Sequence, residues 1–471
     1  MPPSNAGLSR IDKLFVDRDA TEAQVARARR EAFRVAICCG HDLAGSYTLQ
    51  LAALTAAALA IRCFPNAVSV VLDERTGSAR LLVWARMNLT IRDAFRLLGV
   101  PTTTDLPDAT TASIALGDAA ASQSAMRITF DGWIAKVGPS HLVDRLGERE
   151  YCPLAGILGA SLAISELFLS FADISLEAGR RAVALSLWRP KAVVSDPSAV
   201  GVPVEFLPRT LWALGLGHLG NSYLWTLASL RYTDTHETTF YLNDYDFVER
   251  ENVETGVLFA RNDVGALKTR ICAAWLETRG FRTRLVERAF DANFRRRAQE
   301  PALEPALALC GFDSNPVRRD LVTAGFLRVV ESGLGSTASN FDTLSVHTLP
   351  QPRPPEEIWP DLSAEEIEKR VQEQERMARE NCGYLAAGDD ECGRYELAGK
   401  AVGVPFVGMT AATFVVAETL RLLHGGPAYT GFKMSLGSPG RFHAQSRDPA
   451  LYTAGDLTAI EYAAAVSRAA M

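Results

Sequence analysis

Apolar residues gather in short unbroken runs, and glycine-bearing turns separate them. Leu211-Trp212-Ala213-Leu214 is such a run and reads as a buried strand. Gly215-Leu216-Gly217-His218-Leu219-Gly220-Asn221 follows, then a helical run from Ser222 to about Arg231. A second strand, Thr238-Thr239-Phe240-Tyr241-Leu242, delivers Asn243-Asp244-Tyr245-Asp246 at its C-terminal end. The same succession occurs earlier. Residues 1–33 read as a charged helical segment, and Phe33 to Cys39 as a strand. Gly40-His41-Asp42-Leu43-Ala44-Gly45-Ser46-Tyr47 leads into an apolar helix to about Ile61, and Ala67 to Leu72 is a strand ending in Asp73-Glu74. Both stretches are strand, helix, strand units.

The two units align. Leu43-Ala44-Gly45-Ser46-Tyr47 lies against Leu219-Gly220-Asn221-Ser222-Tyr223. Further on, Pro153, Gly156, Ala160 and Glu166 match Pro405, Gly408, Ala412 and Glu418 without a gap. The pattern predicts an α/β protein made of two Rossmann-like copies, one over residues 1–200 and one over 205–471, with a linker near 190–208. The spacing between matched residues grows from 176 (Ser46 to Ser222) to 252 (Gly156 to Gly408), so the second copy carries extra chain. Most of it lies at about 350–400: a proline-rich loop, an amphipathic helix from about Ser363 to Arg379, then a glycine- and acid-containing stretch. The last helix of the repeat should end near His424-Gly425-Gly426, and the tail beyond it should hold one or two strands and a final helix.

Composition narrows the class. The chain has 471 residues, 48% hydrophobic and 22% charged, with a formal net charge of -6, which excludes the basic footprint of a nucleic-acid binder. No apolar run reaches the ~18–20 residues of a membrane span, and Met1-Pro2-Pro3-Ser4-Asn5 lacks signal-peptide character, so a cytoplasmic protein is expected. None of the eight cysteines forms a Cys-x-x-Cys pair, so no zinc is expected. Cys272 and Cys310 sit in apolar runs and read as core, whereas Cys382 and Cys392 lie in polar sequence.

The glycines carry the first chemistry. Gly215 permits a tight turn, Gly217 lets the backbone approach phosphate, and Gly220 lets helix and strand pack closely. The first copy has Cys39, His41 and Ala44 at those places, so it should not bind nucleotide. The fingerprint by itself leaves dehydrogenases and nucleotide-activating enzymes open. Asp244, Asp246 and Asn252 come next, then Asp263, Gly265 and Lys268, then Asp313 with Arg318 downstream.

This ordered series resembles the activating-enzyme superfamily, the ThiF/MoeB-type adenylating enzymes and the E1-like activators of ubiquitin-like proteins. The resemblance covers about residues 205–425 directly and 30–190 as a degenerate copy. It implies that a protein's C-terminal carboxylate attacks the α-phosphate of ATP, with Lys268 and Mg²⁺ neutralising the phosphates. By the same resemblance Asp313 is the Mg²⁺ carboxylate, Asp244 the ribose ligand and Asn252 a polar neighbour of the phosphates. The family arginine three residues after that Asn is Thr255 here; Arg261 is a nearby substitute, and Arg10 a candidate from the first copy.

In conjugating members a crossover-loop cysteine then takes the acyl group as a thioester. Cys392 is the first choice and Cys382 the second, although Asp389, Asp390 and Glu391 oppose a thiolate at Cys392. The implied partners are a ubiquitin-like protein ending in glycine and an E2-like conjugating enzyme, in a bacterial conjugation system linked to phage defence. No nucleic acid or membrane is expected, and pairing of two chains stays open. The competing readings are a sulfur-carrier or peptide adenylyltransferase without a conjugating partner, and an NAD-binding oxidoreductase or scaffold.

Overall fold

A computed structural model describes residues 8–299, 303–387, 391–447 and 456–460. Two helices come first: α1 (Arg10–Asp19), whose Asp12 N–H donates to the Ser9 hydroxyl at 3.0 Å, and α2 (Ala23–Ala32). The first copy continues through β1 (Val35–Cys39), α3 (Tyr47–Cys63), β2 (Val68–Val71), α4 (Glu74–Ser78), α5 (Ile91–Leu97) and β3 (Thr102–Thr103). It closes with β4 (Ala112–Leu116), β5 (Met126–Asp131), β6 (Ile134–Pro139), α6 (Leu154–Phe171) and β7 (Val183–Ser186). A short strand β8 (Phe206–Pro208) precedes the second copy. That copy runs through β9 (Thr210–Leu214), α7 (His218–Ala228), β10 (Thr239–Asn243), α8 (Asn252–Thr255), α9 (Lys268–Glu277) and β11 (Arg282–Val286). Next come β12 (Leu307–Cys310), α10 (Asn315–Arg319), β13 (Arg328–Leu334) and β14 (Thr343–Leu349). Four helices follow, α11 (Pro355–Ile358), α12 (Ala364–Glu380), α13 (Cys382–Ala387) and α14 (Glu391–Gly399), before α15 (Pro405–Leu423), β15 (Ala428–Ser435) and β16 (His443–Arg447). β17 (Leu457–Ala459) pairs antiparallel with β8.

The sheet orders are β3-β2-β1-β4-β5-β6-β7 and β11-β10-β9-β12-β13-β14-β15-β16. In each, the strands up to β5 or β13 pair in parallel, and those beyond pair antiparallel. The second sheet therefore repeats the first strand for strand and adds β16. The α/β duplication expected from the sequence is present as topology.

Apolar helices fill the space between the sheets. Trp225 Nε1 on α7 donates to Thr55 Oγ1 on α3 at 3.1 Å, and Thr410 on α15 donates to Ser161 on α6 at 3.1 Å. The Phe168 and Phe406 rings meet at 5.4 Å. One hydrophobic cluster runs through both copies. α6 and α15, at 18 and 19 residues, are long and apolar enough by length and composition to cross a bilayer, contrary to the expectation that no run is. Their most apolar windows are 83% and 94% buried inside the protein, which is why they carry no polar face. The matched glutamates do matched work: Glu166 pairs with Arg181 at 2.7 Å ahead of β7, and Glu418 pairs with the fully buried Arg421 ahead of β15.

The chain between β14 and α15 departs from expectation after α12. Ser363 and Glu366 form a reciprocal cap that starts α12 one residue beyond Ser363. Within the glycine- and acid-containing stretch, residues 382–387 and 391–399 are helical, as α13 and α14, rather than loop. Tertiary contacts hold it: Tyr384 is buried, its hydroxyl donates to Asp17 at 2.6 Å, and Lys13 donates to it at 2.5 Å. A Cβ at Gly383 would lie 2.6 Å from the Thr21 carbonyl oxygen, so only glycine lets α13 sit this close to the first copy. Asp389 and Asp390, and the final helix expected in the tail, lie outside the described residues.

Candidate active site

β9 ends at Leu214, and Gly215 turns the chain at φ +74°, a left-handed conformation that favours glycine. The Gly215 N–H donates to the Asn243 carbonyl at 2.9 Å, which ties the turn to the end of β10. A Cβ on Gly220 would collide with the Gly215 carbonyl oxygen, so the turn closes on itself through this glycine. A Cβ on Gly217 meets nothing within 4 Å, and the backbone there is open to a ligand. α7 begins at His218, four residues before the predicted start, so its N-terminal N–H groups lie in the turn itself. Asn221 buttresses the turn: its Nδ2 donates to the carbonyls of Leu216 at 2.8 Å and Gly217 at 3.1 Å, and its Oδ1 accepts the Leu258 N–H at 2.9 Å. That role was hidden in sequence, apart from its place directly after Gly220.

The acids converge on this turn. Asp244 Oδ2 accepts the Leu216 N–H at 2.6 Å, and Oδ1 accepts the Asp246 N–H at 2.8 Å. Burial raises the Asp244 carboxyl above the usual carboxylate range, and the nearby Lys268 opposes that rise. Lys268 Nζ donates to Asp246 Oδ2 at 2.9 Å; the lysine is nearly buried and the aspartate half exposed. Lys268 is the first residue of α9, and its N–H donates to the Asp246 carbonyl at 3.0 Å. Asn252 is turned inward, its Oδ1 accepting the Glu249 N–H at 2.9 Å.

The loop after β12 closes the far side. A Cβ at Gly215 would lie 2.9 Å from the Phe312 ring, and one at Gly311 would lie 3.2 Å from the Gly220 nitrogen. Asp313, the next residue after Phe312, is exposed. Arg318 anchors this loop by donating to the Phe312 carbonyl at 2.8 Å and facing the buried Glu331 at 3.6 Å. Asp263 instead caps its own turn by accepting the Ala260 N–H at 2.7 Å. Arg261 is exposed and makes no ion pair among the described residues.

Residues of the first copy reach into the second. Arg10 NH2 lies 4.0 Å from Glu251, which also pairs with Lys400 at 3.3 Å, and Arg10 Nε is buried without a hydrogen-bond partner among the described residues. A Cβ at Gly403 would have Thr255 Cγ2 at 3.3 Å and Arg10 Cδ at 3.6 Å, so the small buried Thr255 leaves room for Arg10. The fully buried Arg30 pairs with Asp12 at 2.6 Å and Glu254 at 3.2 Å. Arg62 donates to the carbonyls of Gly256, Val257 and Phe259 at 3.3, 2.8 and 3.3 Å. The chain after Asn252 is thus held by α1, α2 and α3.

The first copy's own turn is filled. It forms a 3₁₀ helix, His41–Gly45, whose Asp42 accepts the Asp118 N–H at 3.0 Å and pairs with Arg145 at 2.6 Å. Among the described residues no cluster of three or more His, Cys, Asp or Glu is placed to hold a metal. Asp313 fits a Mg²⁺ that takes one carboxylate and draws its other ligands from substrate phosphates and water. Cys382 starts α13 and Cys392 lies in α14; both are exposed and in no disulfide, while Cys272 and Cys310 are buried in the core as expected.

A family profile described as the BilD C-terminal domain matches residues 207–426, and one described as the BilD N-terminal domain matches residues 34–187. A protein described as bacterial E1-like protein BilD, from Collimonas sp. (strain OK412), is 35% identical over 428 residues, 90% of each chain. Among solved structures, E. coli MccB is 15% identical over 54% of this chain and 67% of its own, with a TM-score of 0.33. E. coli TcdA, a tRNA N6-threonylcarbamoyladenosine dehydratase, is 14% identical over 45% of this chain and 85% of its own, with a TM-score of 0.28.

Proposed function

Because the chain belongs to the bacterial E1-like BilD family, we propose that it activates the C-terminal glycine of a ubiquitin-like protein with MgATP. It then takes the acyl group as a thioester on Cys392 and passes it to an E2-like conjugating enzyme, in the cytoplasm and in a phage-defence setting. Residues 1–200 act as an inactive structural copy, and 205–471 as the active one. The observation that supports this most is the ion pair of Lys268 and Asp246 at 2.9 Å beside a glycine turn that Asp244 grips at 2.6 Å.

In the first step a carboxylate oxygen of the carrier attacks the α-phosphorus of ATP. The bond to the bridging oxygen breaks, and pyrophosphate leaves with the electron pair. Gly215, Gly217 and Gly220 cradle the phosphates, with the α7 N–H groups as donors. Lys268 neutralises developing charge, and Asp246 keeps it in place. Asp244 faces the ribose, Asn252 braces the loop near the phosphates, and Arg10 supplies the cation that Thr255 lacks. Bound at Asp313, Mg²⁺ would supply further charge neutralisation. In the second step the Cys392 sulfur, having given its proton to water, attacks the acyl carbon, and the bond to AMP breaks. Cys382 is the second choice for this thioester.

The test is ATP–pyrophosphate exchange that requires a carrier ending in glycine. Its absence, with NAD-dependent hydride transfer instead, would overturn the reading. Replacing Cys392 by Ala should remove a DTT-sensitive carrier adduct. If the adduct persists in Cys392→Ala but not in Cys382→Ala, the thioester belongs to Cys382.

A further inference from the structure

The His218 imidazole sits at the centre of the site without a task in the scheme above. It is the first side chain of α7, directly after the glycine turn. A Cβ at Gly408, in the first turn of α15, would collide with its Nε2 and lie 2.5 Å from its Cδ2. A Cβ at Gly403 would lie 3.8 Å from its Nδ1, on the same spot that Arg10 and Thr255 flank. The ring therefore fills the gap between the phosphate-facing turn, α1 of the first copy, and the point where the 350–400 insertion returns into α15. Its Nε2 is buried and has no hydrogen-bond partner among the described residues. Burial, then the charge of Arg10, push its pKa down to about 3, while the backbone of Pro405 and Val404 acts the other way. The ring is neutral at ordinary pH.

The first copy lacks this contact. Asp42 stands at the position matching His218 and turns to Arg145 instead. Gly156, the match of Gly408, packs on the Thr48 carbonyl, 2.7 Å from where its Cβ would be. A turn side chain lying on the helix glycine belongs to the active copy.

We infer that His218 is a positioning residue that wedges the phosphate-facing end of α7 against the first turn of α15, so that one contact sets the nucleotide turn and the exit of the insertion together. This rests on reading Gly215–Gly220 as the ATP phosphate turn. Backbone N–H donors lose their hydrogen bonds to phosphate when displaced by about 1 Å. A methyl group at Gly408 has to displace the ring, and on this inference the displacement is passed to the helix end.

The experiment is a compensation cycle on the full chain with Gly408→Ala, His218→Ala and the double variant. Direct MgATP titration gives Kd, and carrier-dependent exchange gives KM for ATP and for the carrier. Gly408→Ala should raise Kd and KM for ATP by about tenfold or more while KM for the carrier stays within about twofold. The double variant should return to within about threefold of His218→Ala alone. A purely structural contact lowers the folded fraction and hence the apparent kcat, and moves neither KM. Should Gly408→Ala fail to fold, recovery of a cooperative melt in the double variant becomes the readout. Absence of rescue in both measures overturns the inference. A wild-type chain that binds MgATP but shows no exchange defeats the adenylation reading and leaves the cycle readable through Kd. One that binds no MgATP defeats that reading and the inference with it.

Discussion

Arg145 pairs with Asp42 at 2.6 Å across the strand ends of the first copy, where the second copy has its open glycine turn. The same carboxylate accepts the Asp118 N–H at 3.0 Å, so the space is occupied by the chain itself. One MgATP per chain is therefore expected. Asp42→Ala with Arg145→Ala should leave the stoichiometry at one, because Cys39 and Ala44 and the 3₁₀ turn still obstruct the approach. Calorimetric titration checks this, and two equivalents bound by wild type would reassign the first copy.

Lys268 and Asp246 should not be equal in effect. On the proposed adenylation, Lys268→Ala removes the charge assigned to the phosphates and is expected to cut carrier-dependent exchange by about 10²- to 10³-fold. Asp246 is half exposed, and its pairing is screened, so Asp246→Asn should cost only about tenfold. Equal losses in the exchange assay would mean that the aspartate also touches substrate.

His218 gives a pH dependence with a definite sign. Its pKa is about 3 in the folded protein against an ordinary 6.5. Between those values the unfolded chain binds a proton that the folded chain does not, so this group's contribution to stability is lost as pH falls from 6.5 toward 3. The slope from this group is at most ~1.4 kcal/mol per pH unit. Carboxylates titrate in the same range, so the measurement is the difference between wild type and His218→Gln in denaturant unfolding. A difference that does not change with pH contradicts the burial of a neutral ring.

Tyr384, Lys13 and Asp17 clamp the insertion to the first copy. Burial lowers the pKa of Lys13, and Asp17 offsets that fall. Tyr384→Phe removes a buried partner from both charges and should cost about 1–3 kcal/mol of local stability. Limited proteolysis within α13 should quicken while the melt of the two sheets stays in place. Unchanged cleavage would show that the apolar contacts of Val16 and Tyr384 suffice.

Much of the architecture was legible in residue order. The run Leu211–Leu214 is a strand because four apolar residues bounded by Gly215 suit a buried parallel position. The α12 helix was legible in its period and in the Ser363–Glu366 cap. The helical state of residues 382–387 and 391–399 was not, because its stability comes from α1 and α12 rather than from its own polar, glycine-bearing sequence. The span-grade apolarity of α6 and α15 is also hidden in the sequence. Scattered Ser, Thr and Gly interrupt the apolar runs, yet those residues serve helix contacts, as Ser161 and Thr410 do.

The order of residues determined that two copies of one α/β unit exist, that the second keeps the glycine turn, and that Asp244, Lys268 and Asp313 follow it. Those features are local: strand period, turn conformation and motif spacing need no distant partner. Only the tertiary structure decided that Arg10, Arg30 and Arg62 of the first copy hold the second copy's site. It alone placed His218 on Gly408 across 190 positions of chain. Such contacts arise from how α3, α6, α7 and α15 pack between two sheets, and packing joins residues whose separation along the chain carries no signal.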